Sequence, residues 1–407
     1  MLFRSIYALC SKAAYGALAA ALLACKKLAG YLREWGFEMS ESEPCCCSKE
    51  VSGPQMAIAF HVGGLKLSHK GPGVATKYIE KFARLYGKAK PLKAHRGKAR
   101  EYLGLAIGFR AKGEAWISVY GFLMKLFDAL PEDMIGEKGA AAPSDLFKTD
   151  FDGCEPLDEG KRKLFHTIAA SAMYAGIRAR PDAQLAASFH SARAREPGQH
   201  DYRKLARAMK YLQAAKALPL ILRTGGKGSG LLIGAAHASH HGFRSHAGAA
   251  AMEAKGAIHS SSSKAKISTT SSTESEVVGV GERLPKHLWL RGFRIEQGGY
   301  SKEDALYQDN EAAILLENNG RYSCKKGSRH IHIRYFFITD RIKNKEIKVM
   351  YCPTEPVIAG YFAKPLQGAL LFKLRDAIMG IDQNDLEIYQ RNFDEVIKKY
   401  EELKREA

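Results

Sequence analysis

Ser271-Ser272-Thr273-Glu274-Ser275-Glu276-Val277 opens a long helical stretch, expected over Ser272–Gly298 with a kink at Pro285, and the rest of the 407-residue chain is read outward from it. Upstream, Leu231–Ser239 reads as a strand, followed by a hairpin of Ala247–Glu253 and Gly256–Ser262 turned by Ala254-Lys255. Downstream, Ala305–Asp309 is a strand, Glu311–Asn318 a short helix, Arg329–Ile342 a helix and Glu346–Cys352 a last strand. Helices follow over Val357–Leu366 and Leu370–Met379. Asp385–Glu406 closes the chain as a charged helix with Leu386, Tyr389, Phe393, Val396 and Tyr400 along one face.

Three strands, a helix, a strand, more helices, a strand and a final helix is the element order of the ribonuclease H fold. Phosphodiester hydrolysis on that fold uses two magnesium ions held by carboxylate oxygens. The cluster needs carboxylates from the first strand, the first helix, the end of the fourth strand and the start of the last helix. The opening segment resembles the Ser-Ser-Thr-Glu-x-Glu signature of copia-type retrotransposon ribonuclease H. Tyr307-Gln308-Asp309-Asn310, Arg329-His330-Ile331-His332-Ile333-Arg334-Tyr335 and Phe362-Ala363-Lys364-Pro365-Leu366 resemble its next three signatures, in the family's order and spacing. By this resemblance Glu276 matches the helix carboxylate and Asp309 the strand-four carboxylate, and these two are the implied residual catalytic residues and metal ligands. Gly234 stands where the family has the first-strand Asp, and Gly360 where it has the last. Two carboxylates are too few to hold two Mg²⁺ productively. His332 stands where the family usually has Asp or Asn. Arg329, His330, Arg334 and Lys364 flank the site and are the implied nucleic-acid contacts.

The upstream half resembles the end of the same family's reverse transcriptase. Ala14-Tyr15-Gly16 and the helix running to Gly36-Phe37 resemble the helix before the polymerase hairpin. Phe60-His61-Val62-Gly63-Gly64-Leu65 sits where the family has Tyr/His-Val-Asp-Asp, so both metal-binding Asp of the hairpin are glycine, at Gly63 and Gly64. A helix is expected over Val74–Tyr86, strands within Glu101–Val119, and a loop over Asp133–Pro156. A helical block should span Asp158–Ala217, broken at Arg180-Pro181 and Glu196-Pro197-Gly198. Tyr102-Leu103-Gly104, Arg180-Pro181-Asp182 and Tyr202–Leu212 resemble later landmarks of the family. Gly225–Gly230 precedes a strand instead of joining a strand to a helix, so it reads as a linker and not a phosphate-binding loop. The resemblance runs from about residue 10 to 380. Further Gly or Ala stand at Gly71, Gly242 and Ala363, where the family often has Asp, Asp and Thr. Each replacement needs only one A-to-G codon change, the pattern of a hypermutated or decayed copy; Asp codons at 63, 64, 234 and 360 on resequencing would exclude it.

The expected fold is mixed α/β, with 1–132 a partial palm, 133–218 a helical thumb and connection, 219–380 a ribonuclease H-like domain with a mixed five-stranded sheet, and 381–407 the charged helix. Lys and Arg outnumber Asp and Glu by 62 to 43, a formal charge of +19, which points to a polyanionic partner such as nucleic acid. Eight cysteines without a CxxC pair read as reduced thiols of an intracellular protein of the cytoplasm or nucleus. The apolar run Ala13–Cys25 is too short to span a bilayer, and no membrane partner is expected. His237, His240, His241 and His246 read as surface histidines, although such a cluster can bind a metal. The implied family activities are RNA-directed DNA polymerisation and cleavage of RNA in RNA–DNA hybrids. With only Glu276 and Asp309 kept, a catalytically impaired remnant that binds nucleic acid is expected; the alternative is a co-opted, non-catalytic nucleic-acid-binding or scaffolding protein. An active nuclease rescued by His237 or Glu253 is the third reading.

Overall fold

A computed structural model describes residues 18–61, 64–87, 91–97, 99–110, 113–149, 155–224, 232–238, 245–269, 271–299, 304–320, 332–353 and 357–382. The chain divides into two compact units, Met1–His95 with Gly292–Gly299, and Arg96–Arg291 with Tyr300–Ala407.

In the first unit helix α1 (Leu18–Glu34) precedes an antiparallel meander of β1 (Glu38–Met39), β2 (Cys46–Glu50), β3 (Gln55–His61) and β4 (Gly64–Ser68), then α2 (Pro72–Tyr86). Met56, Ile58 and Phe60 alternate along β3, and all three are buried. Helix residues Leu32, Tyr78 and Phe82 close over them with Phe37. Each such side chain contributes roughly 1.5–3 kcal/mol on burial. Ser52 and Gly53 both take positive φ, 54° and 94°, the two-residue turn that matches strand twist and fixes the β2–β3 register.

The second unit begins with β5 (Ala99–Tyr102), β6 (Leu105–Arg110) and β7 (Glu114–Ser118), followed by α3 (Tyr120–Phe127). The expected helical block is α4 (Glu159–Arg178), α5 (Gln184–Arg193) and α6 (Gln199–Ala214), and the breaks fall at Arg180-Pro181 and Glu196-Pro197-Gly198 as read from the sequence. Asp158 starts α4 by accepting from the Lys161 N–H at 2.9 Å. Strand β8 (Leu220–Arg223) then pairs with β7, so one antiparallel sheet, β5-β6-β7-β8, takes strands from both sides of the helical block.

Next come β9 (Leu232–Ala238), β10 (His246–Met252), β11 (Ala257–Lys264), α7 (Ser272–Glu296), β12 (Asp304–Gln308), α8 (Glu311–Asn319), α9 (His332–Lys343), β13 (Ile347–Tyr351), α10 (Gly360–Ala363) and α11 (Gly368–Met379). The sheet order is β11-β10-β9-β12-β13, antiparallel through the first three strands and parallel from β9 through β12 to β13. This is the mixed five-stranded sheet expected, inside a mixed α/β chain. Helix α7 is one helix with Pro285 inside it. The helix expected over Val357–Leu366 is limited to Gly360–Ala363, because Lys364 turns extended (φ −126°, ψ 138°) before Pro365. The outer edge of β11 is covered: Ser188 donates to the Ser262 carbonyl at 2.6 Å and Gln184 to that of Ser260 at 3.2 Å. These α5 side chains occupy edge groups that would otherwise template pairing with another chain. Gly225–Gly230 and Asp385–Glu406 lie outside the described residues.

Candidate functional site

Strand β12 lies between β9 and β13, inside the sheet and not at its edge, and Asp309 is the first residue beyond it. The Asp309 N–H donates to Gln308 Oε1 at 3.0 Å, and the Cys352 N–H donates to the Gln308 carbonyl at 2.9 Å. Asn310 then caps α8 by accepting from the Ala313 N–H at 3.0 Å, which pins the half-buried Asp309 between strand and helix. Glu276 lies in the first turns of α7 and is 6% exposed. Val277, Val278 and Val280 after it pack with Leu306 of β12 and Ala251 of β10. A glutamate so placed is not the solvated helix residue that its sequence context alone would suggest.

Two glycines named in the sequence analysis lie near these carboxylates in the chain's fold. Gly234 of β9 pairs with Ala250 on one side and with Tyr307 on the other, two residues before Asp309. Gly360 opens α10 and is buried, yet a Cβ built on it meets nothing within 4 Å. Helix α10 is held against β10 through Gly248, where a Cβ would lie 2.5 Å from Phe362 Cβ and 2.8 Å from the Ala359 carbonyl oxygen. Glycine at 248 is thus imposed by packing, whereas glycine at 360 is not.

A second buried acid was missed by sequence reasoning. Glu317 of α8 is fully buried, with the Gln308 side chain beside its carboxylate. Burial, then the charge of Glu276, pushes its carboxyl up to about 8, with the neighbouring Gln308 side chain pulling the other way. The available signal was weak: Glu317 falls four residues after Ala313, on the buried stripe of α8.

The donor set does not suit a two-metal centre. Gly234 and Gly360 supply no oxygen, and among the described residues no group of three or more His, Cys, Asp and Glu side chains could hold a metal ion. Gly63 lies outside the described residues; Gly64 opens β4 and pairs with His61 across the hairpin. Arg329 and His330 also lie outside them, and only the backbone is described at His237, His332 and Arg334. Lys364 is half-buried just after α10. His240 and His241 are not described. His246, expected at the surface, is 3% exposed: its Nε2 is 2.8 Å from Ser262 Oγ and its ring lies over Phe147.

Behind α10 lies a buried polar network. Arg180 Nε and Nη2 donate to Asp182 Oδ1 and Oδ2 at 2.8 and 2.6 Å, and the pair is almost fully buried. The Tyr211 hydroxyl donates to Asp182 Oδ2 at 2.6 Å, and the Tyr361 hydroxyl to the Asp182 carbonyl at 2.9 Å. Against the upward push of burial, Arg180 and the Tyr211 hydrogen bond hold the Asp182 carboxyl below its ordinary value. The Arg-Pro-Asp segment, read as a sequence landmark, is therefore the anchor between the α4–α6 helices and the residue next to Gly360.

No protein-family model matches the chain. It is 24% identical over 369 residues, 88% of its length, to the retrovirus-related Pol polyprotein from transposon TNT 1-94 of Nicotiana tabacum, and it spans 27% of that polyprotein. Among solved structures it is similar to foamy viral protease-reverse transcriptase in complex with RNA/DNA hybrid, at 13% identity and TM-score 0.46, covering 84% of this chain and 39% of that one. It is also similar to the N-terminal ribonuclease H domain of rv2228c from Mycobacterium tuberculosis, solved as a fusion with maltose-binding protein, at 16% identity and TM-score 0.26, covering 33% and 91%. Among the described residues no helix is long and apolar enough to cross a membrane.

Proposed function

We propose that this chain, a relative of the retrovirus-related Pol polyproteins, is the reverse transcriptase–ribonuclease H part of a copia-type product that binds nucleic acid but no longer cleaves or polymerises it. The observation that carries the proposal is Gly360. It stands buried at the head of α10 with room for a side chain that the packing does not forbid, where the resembled family has a metal-binding Asp. Glycine at 63, 64 and 234 extends the loss to both implied centres. Glu276 and Asp309 would be the surviving carboxylates, and a divalent cation held by two ligand groups lacks the fixed geometry that in-line displacement needs.

Binding asks less than catalysis. Phosphate contacts need Lys and Arg, and the net charge of +19 supplies them without any of the lost carboxylates. Arg329, His330, Arg334 and Lys364 are the proposed contacts beside the site. The functional segments proposed are 1–132, 133–218, 219–380 and 381–407, acting on an RNA–DNA hybrid inside the cell. The same charge favours the second reading, a co-opted binding or scaffolding protein, which differs in having a cellular role.

The test is cleavage of a labelled RNA–DNA hybrid with Mg²⁺ or Mn²⁺ by the purified chain and by Gly234→Asp/Gly360→Asp, alongside hybrid binding at 50 and 200 mM salt. The expected result is salt-weakened binding by both proteins and cutting by the double reversion alone. Cutting by the unaltered chain that Glu276→Gln abolishes would overturn the proposal.

A further inference from the structure

Strand β11 carries a serine-rich run whose two faces meet different helices. Ser260 Oγ donates to Gln184 Oε1 at 2.5 Å and Ser262 Oγ to the Phe362 carbonyl at 2.7 Å, so the even positions face α5 and α10. By strand alternation the odd positions face α7. Arg283 Nη2 donates to Ser263 Oγ at 2.9 Å, and the rings of His259 and His287 meet with their centres 5.7 Å apart and their planes at 70°.

His287 continues the buried stripe of α7 that runs through Val280 and Leu284. It is 1% exposed, and among the described residues neither of its ring nitrogens has a hydrogen-bond partner. Folded proteins retain few such buried polar atoms, because each loses its water without replacement. His259 is half-buried, so the pair keeps a path to solvent.

We propose that His259 and His287 form a cuprous-ion site, one nitrogen of each ring ligating a single Cu(I) between β11 and α7. A metal bonded to an imidazole nitrogen at about 2.0–2.1 Å sits about 3 Å from the ring centre, so two rings sharing it at an obtuse angle have centres about 5–6 Å apart. The observed 5.7 Å falls in that range. Among the described residues no third His, Cys, Asp or Glu completes a larger donor group. Zinc asks for four ligands, whereas imidazole suits copper and the cuprous ion is content with two neutral donors. Charge argues the same way: Lys286 and Arg283 act on the pair, and they repel a monovalent ion half as strongly as a divalent one. Burial, then Lys286, holds His259 down to about 4; burial, then His259 and Arg283, holds His287 down to about 3. Both rings are therefore neutral at neutral pH and keep a lone pair for the ion. The site is distinct from the carboxylates, since His287 lies about 16 Å along α7 from Glu276 at 1.5 Å per residue.

The experiment labels the full-length chain with ¹³C at histidine Cε1, titrates it with Cu(I) under argon and follows the 14 histidine signals by NMR. The eight cysteines compete for the ion, so the titration runs past eight equivalents. Two signals, one missing from His259→Ala and the other from His287→Phe, should move together and ahead of the other histidines. In each variant the remaining partner should stay in place. Saturation that moves neither signal, movement of one without the other, or equal movement with Zn²⁺ would overturn the proposal. Should His287→Phe fold poorly, His259→Ala at its half-buried strand position still decides, because a merely packed ring pair moves in neither protein.

Discussion

Replacing Asp182 by Asn tests whether the Arg180 network holds the helical block to the α10 segment. The substitution keeps the volume and removes the charge, leaving a guanidinium at 1% exposure with no anion against it. Removing one partner of a buried ion pair costs about 3–5 kcal/mol, because the remaining charge stays desolvated. Tyr211→Phe removes only a hydrogen bond to that charge and should cost about 1.5–3 kcal/mol. Replacing both ions with apolar residues, as in Arg180→Met/Asp182→Leu, should recover most of the loss. Hydrogen exchange resolved by mass spectrometry is the suitable assay, since a chain of two compact units need not unfold in one step. Peptides covering α5, α6 and 357–379 should exchange faster in Asp182→Asn, and peptides of the first unit should not change. If Asp182→Asn costs under about 1 kcal/mol, or the double replacement is worse than the single one, the network is not the anchor described.

Three further predictions concern buried positions. Glu317 holds its proton up to about 8 in the folded chain against an ordinary value of 4.5, so its contribution is complete below pH 4.5 and fades as pH rises through about 8. The loss amounts to about 3–5 kcal/mol, and Glu317→Gln should abolish the decline and melt higher than the parent at pH 9; an unchanged pH profile would refute the burial argument. Burial holds His190 and His287 down to about 3, so their contributions are lost in the opposite direction, as pH falls below 6.5. Gly248→Ala should destabilise by about 1–3 kcal/mol, because the new methyl meets Phe362 of α10 and the carbonyl of Ala359 just before it; thermal melting at parental values would show that α10 is not seated on β10 as described.

What the sequence disclosed depended on whether a feature repeats locally. The α4, α5 and α6 boundaries were legible because Pro181 and Pro197-Gly198 interrupt strong helical patterns. The β3–β4 hairpin was legible because Ile58 and Phe60 alternate into the Phe60–Leu65 segment that resembles the polymerase hairpin. The pairing of β7 with β8 was not, since it joins residues about a hundred positions apart with no local mark. The same distinction runs through the site. The carboxylate losses proposed at Gly234 and Gly360 were read from sequence, because the neighbouring residues keep the resembled pattern. A carboxylate gained in space, such as Glu317 beside Glu276, comes from helix packing and leaves no motif. Gly248 and Gly360 sharpen the point: both are glycines of one sheet–helix contact, identical as letters. Only the clash at 248 and the open space at 360 reveal that the first is required by the fold and the second is not.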